Sequence, residues 1–109
     1  MGEPRKEAAA QITNQFRRRN AMVYDLSCEG VHLTISLTGA GEGEDISEWR
    51  AEAHARQATE RPTVVGTGPT RGDALSEVAR AWVAKNGSWG FPALNWEAVT
   101  TALRAVRAA

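Results

Sequence analysis

Cysteine is nearly missing from this chain of 109 residues. A single thiol, Cys28, excludes an internal disulfide framework and a cysteine-built zinc site. Long apolar runs are missing too, and nothing approaches the ~20 residues that a membrane-spanning helix needs. Met1 is followed by Gly-Glu-Pro and then charge, which does not read as a secretion signal. Lys6 stands where a myristoylation signal wants Ser or Thr. A cytoplasmic location is therefore expected. Neither charge sign dominates: 13 cations balance 13 anions, whereas a nucleic-acid binder normally shows a basic excess.

What is present reads as one small globular domain over 1–109. Its core lies within about 4–86, followed by an aromatic connector and helix over 88–109. The charge is unevenly spread, at net +3 over 1–20, −6 over 21–60 and +3 over 61–109. Arginine far outnumbers lysine and alanine is abundant, as codon usage in a high-GC bacterial genome would give.

Residues 4–19 read as a helix. Pro4 suits its first position, and Ala8, Ala9, Ile12 and Phe16 form a stripe at helical spacing. Arg17, Arg18 and Arg19 then fall in the last turn, where cations complement the helix dipole. Residues 21–38 read as a hairpin turning at Glu29-Gly30. The opposed pairs Cys28/Val31, Leu26/Leu33, Tyr24/Ile35 and Met22/Leu37 are all apolar and share one face. The other face is mostly polar, so a one-residue slip would scramble the separation.

Residues 47–57 alternate again, and Ala51, Ala53 and Ala55 imply a helix packed very close above. Residues 63–67 form a short fourth strand. Residues 71–86 form a helix capped by Thr70 with Asp73, burying Leu75, Val78, Ala79, Trp82 and Val83. Asn95 caps a last helix over 96–107. The expected fold is α+β: a four-stranded antiparallel sheet with helices on one face, ordered helix, four strands, helix, helix.

The segment from Thr63 to Leu75, with its Gly66-Thr67-Gly68 turn and capped Ala-rich helix, resembles the double-stranded RNA-binding domain. Trp49 through Arg56 is similar to that family's middle strand, and the likeness spans residues 31–86. It implies a sheet-and-helix fold. The family's phosphate-gripping lysines are not matched: Arg71, Gly72, Asp73 and Ala74 occupy that stretch. The loop after the first matched strand is acidic, Gly41-Glu42-Gly43-Glu44-Asp45.

No catalytic, cofactor or metal constellation stands out. The hairpin register puts Cys28 and His32 on opposite faces, which prevents a thiol–imidazole pair. His32, His54 and Glu52 face solvent at no known ligand spacing. Gly66-x-Gly68 resembles a phosphate turn, but Arg71 stands where the dinucleotide fingerprint needs glycine. The open sheet face is expected to carry no aromatic for base stacking, because Tyr24 and Trp49 point inward. Aromatics cluster instead at Trp89, Phe91 and Trp96, and Trp96, Val99, Leu103 and Val106 follow the spacing of a helix–helix seam. The expected function is a non-enzymatic protein-interaction module, self-associating through those six residues. The alternative is a nucleic-acid binder using Arg17, Arg18, Arg19 and Arg71 on a duplex backbone.

Overall fold

A computed structural model describes residues 10–42, 45–55, 63–85 and 93–108, with side chains except at 42, 45 and 106–108. Five strands, β1 (Ala10–Arg18), β2 (Ala21–Cys28), β3 (Val31–Glu42), β4 (Asp45–Ala55) and β5 (Thr63–Gly68), precede two helices, α1 (Arg71–Ala84) and α2 (Trp96–Ala108). The strands form one antiparallel sheet in sequence order.

This corrects the four-stranded expectation. Residues 10–18, read as part of a helix, form a fifth strand at the sheet edge. The apolar positions Ala10, Ile12 and Phe16 fit either period over so short a stretch. Tertiary pairing with β2 decides between them. A register shift between Ile12 and Asn14 also breaks the alternation within β1.

The β2–β3 hairpin has the register its alternation predicts, from Cys28↔Val31 to Met22↔Leu37. Glu29 and Gly30 both take positive φ, 54° and 84°, the geometry of a tight turn matched to strand twist. Tyr24, Leu26, Leu33, Ile35 and Leu37 are fully buried, each stabilising the fold by roughly 1.5–3 kcal/mol relative to exposure.

Both helices lie over this apolar face. α1 packs on β4 and β5, and α2 on β1 and β2. Small residues allow the close approach of α1: Ala51, Ala53 and Ala55 are buried beneath the helices. Gly66 lies so near that an added Cβ would sit 2.8 Å from the Ala74 carbonyl oxygen and 2.7 Å from the Val78 nitrogen. Gly68 meets the backbone of Asp73 and Ala74 in the same way. These glycines let helix lie against strand, which accounts for the Gly-x-Gly spacing without a phosphate. Thr70 caps α1, its hydroxyl accepting the Asp73 N–H at 3.0 Å. Lys85 closes the helix. Trp82 and Trp96 meet between the helices, with ring centroids 5.8 Å apart.

The opposite face is open. Across it run the rows Asn14–Asp25–Thr34–His54–Thr63, Phe16–Val23–Ser36–Glu52–Val65 and Arg18–Ala21–Thr38–Arg50–Thr67. The shift in β1 moves Phe16 onto this face, opposite Val23, where it is 51% exposed. The expectation of an open face without aromatics is corrected accordingly.

Candidate interaction surface

β1 has β2 on one side and no strand on the other among the described residues. Ala10 and Ile12 are half-buried, and every other residue of the strand is exposed. Ile12 opposes Leu26 on the helix face, whereas Asn14 and Phe16 oppose Asp25 and Val23 on the open face. Gln15 and Arg17, opposite Tyr24 and Met22, project on the helix side again. From Ala10 through Phe16 the edge carries no charge, glycine or proline. The other edge, β5, has six residues, two of them the packed glycines.

α2 overhangs the β1 edge. Asn95 caps it, its side-chain oxygen accepting the Ala98 N–H at 3.1 Å. The buried side of α2 consists of Trp96, Val99 and Leu103. These three close the chain's own core, so they are not an outward seam as the spacing suggested. Val106 belongs to α2, but its side chain lies outside the described residues, as do Trp89 and Phe91 entirely. The flank of α2 nearest β1 carries small residues instead. Ala98, Thr101, Ala102 and Ala105, with Ala10, Asn95 and Glu97, line an open groove of about 340 Å³.

The arginines do not form one patch. Arg18 lies on the open face with its guanidinium 5.2 Å from the Phe16 ring centroid. Arg17 projects to the helix side, opposite Met22. Arg19 sits in the turn that follows. Arg71 packs its guanidinium 5.2 Å from the Trp49 ring centroid and donates to the Met22 sulfur at 3.5 Å. Arg17 and Arg71 therefore both adjoin Met22, while Arg18 is separated from them by the sheet.

Cys28 is buried on the helix face. Burial pushes its thiol above the usual value of 9.0, the Glu29 carboxylate adds to this, and the Asn95 backbone N–H partly offsets it. A raised thiol pKa makes a weak nucleophile at neutral pH. His32 opposes Ser27 on the other face. His54 opposes Thr34, whose hydroxyl donates to an Asp25 carboxylate oxygen at 2.9 Å. Among the described residues no three His, Cys, Asp or Glu side chains gather as a metal site. A second cleft, of about 270 Å³, lies between the helices beside Asp73, Thr100 and Arg104. No helix among the described residues is long and apolar enough to cross a membrane.

The residues that sequence reasoning overlooked are those of the edge itself, Gln11, Asn14 and Gln15, and the small-residue flank of α2. The spacing of Ala98, Thr101, Ala102 and Ala105 is visible in the sequence. It draws no attention beside the apolar stripe of the same helix. No protein-family profile, curated protein or solved structure matches this chain.

Proposed function

We propose that this chain is a small non-enzymatic protein-interaction module whose receiving surface is the free edge of β1. The observation that supports it is the nine-residue exposed strand, uncharged over its first seven positions. An edge of this kind presents main-chain donors and acceptors that an added strand satisfies. Its side chains project in part to the open face and in part to the helix side, where Ala10 lines the groove beside α2, so an incoming strand finds main-chain pairing and a side-chain pocket together. One buried thiol and no disulfide framework suit a reducing compartment such as the cytoplasm.

The test is selection of binders from a random peptide display library, followed by hydrogen exchange on the complex. Slowed exchange of amides within residues 10–18 is the expected result. A selection that yields no binder, or binders protecting only other segments, removes the reading.

A second reading, nucleic-acid binding, is favoured by one observation: Arg18 stacked on the exposed Phe16 resembles a base-stacking platform with a cation beside it. Asp25 and Glu52 share that open face, however, and repel phosphate. Titration with duplex and single-stranded RNA at about 0.15 M salt separates the two readings. Affinity in the sub-micromolar range there, weakened by Arg18→Ala and Phe16→Ala, would favour nucleic acid over a protein strand.

A further inference from the structure

We infer that the strand received at this edge is β1 of a second copy. The two copies pair antiparallel about a two-fold axis between Thr13 and Asn14, joining two five-stranded sheets into one of ten. The inference rests on β1 being a receiving edge and adds the identity of what it receives.

The register follows from the irregularity in β1. Directly opposed residues of an antiparallel pair project to one face. Ala10 and Ile12 share the helix face with Gln15 and Arg17, whereas Asn14 and Phe16 lie on the open face. A strand with unbroken alternation would pair with itself about a residue. Here the alternation flips in mid-strand, so faces match only when the axis falls between residues. Placing it between Thr13 and Asn14 uses the whole uncharged segment. Ile12 then opposes the partner's Gln15, Gln11 opposes the partner's Phe16, and Ala10 opposes the partner's Arg17.

Charge agrees with this register. The two arginine triplets fall at opposite ends of the paired strands, so no arginine faces another. Ala10 lines the groove beneath α2, and Glu97, exposed in the first turn of that helix, lines the same groove. The partner's Arg17, opposite Ala10 on the helix side, enters this groove beside the Glu97 carboxylate. Two-fold symmetry repeats the contact at the other end. The rest of the groove is lined largely by Ala98, Thr101, Ala102 and Ala105, whose short side chains leave room for the incoming strand's Arg17 and Gln15. The pairing thus accounts for three exposed features at once: an uncharged edge, an arginine on the helix side of a strand, and an acidic residue across a groove of small residues.

Sedimentation equilibrium of the full chain, from micromolar to millimolar, tests this. The mass should rise with concentration from 11.8 kDa towards twice that value. Arg17→Glu alone and Glu97→Arg alone each set like charges together at both ends and should weaken the dimer about tenfold or more. The double variant, with the charges exchanged, should restore it. Circular dichroism melts of all three establish that the fold persists, since both positions are exposed.

A wild-type chain that stays at 11.8 kDa to millimolar concentration overturns the proposal. So does a dimer equally indifferent to all three variants. If the chain stays monomeric while selected peptides still protect residues 10–18, the edge reading stands and the second copy is excluded as its occupant. RNA binding that Arg17→Glu abolishes in a monomeric chain assigns the arginines to nucleic acid instead.

Discussion

The β2–β3 hairpin and the β1 strand belong to one sheet and differ in almost everything a sequence can show. In the hairpin, eight opposed pairs separate into an apolar face, buried but for the half-buried Val31 at the turn, and an open one. In β1, apolar Ile12 faces the helices and apolar Phe16 faces away. The hairpin is held by its own pattern. β1 is held by its neighbour, and no strand among the described residues pairs with its outer side. An interior strand must commit every second residue to the core, whereas an edge strand can reserve part of its length for something else.

The contrast breaks most visibly in the hairpin. Leu33→Asp puts an unpaired carboxylate at a fully buried position and should cost more than about 3 kcal/mol or abolish folding. Thr38→Asp, exposed and opposite Arg50, should stay within about 0.5 kcal/mol. Urea denaturation of the pair checks the register, and similar midpoints would show it to be wrong.

At the far edge of the sheet, Gly66→Ala drives a methyl group into the α1 backbone. A loss of about 1–3 kcal/mol is expected, read as a lowered melting temperature. An unchanged value would mean that α1 can move away freely.

Glu29→Asn at the hairpin turn relieves a left-handed backbone that a glutamate adopts poorly. It should stabilise by about 0.5 kcal/mol, visible as a higher urea midpoint. A drop would mean that the Glu29 side chain contributes a contact that outweighs the turn conformation.

The effect in β1 should also be small. Phe16→Ser removes a large apolar side chain, yet its 51% exposure and open-face position predict a change within about 1 kcal/mol. A hairpin-like loss of several kcal/mol would place Phe16 in a buried environment and erase the distinction between the two strands.

Much of the sheet was legible because its period-2 pattern is unbroken along each hairpin strand, from Met22 to Cys28 and from Val31 to Leu37. The cap at Thr70 and the Ala51/Ala53/Ala55 row were legible for a similar reason. Each is a local rule with a single physical solution. The candidate surface was hardly legible. Trp96, Val99 and Leu103 stand out in the sequence because they are large and regularly spaced. The same properties made them core residues. The residues left outside, Gln11, Asn14, Gln15 and Ala102, are ordinary polar or small ones and carry no signal of their own.

The sequence by itself therefore determined the β2–β3 register, the start of α1 at its Thr70 cap, the cap of α2 and the exclusion of a disulfide framework; α1 ends at Ala84, short of the expected 86, and leaves Val83 exposed. Each follows from contacts close along the chain or from composition. Only the tertiary structure decided that residues 10–18 are strand and not helix, because a short segment with few apolar residues fits both periods until a neighbour pairs with it. It also decided that Phe16 faces solvent and that the Trp96 stripe faces inward. Both depend on which surface the rest of the chain presents, and no local pattern carries that information.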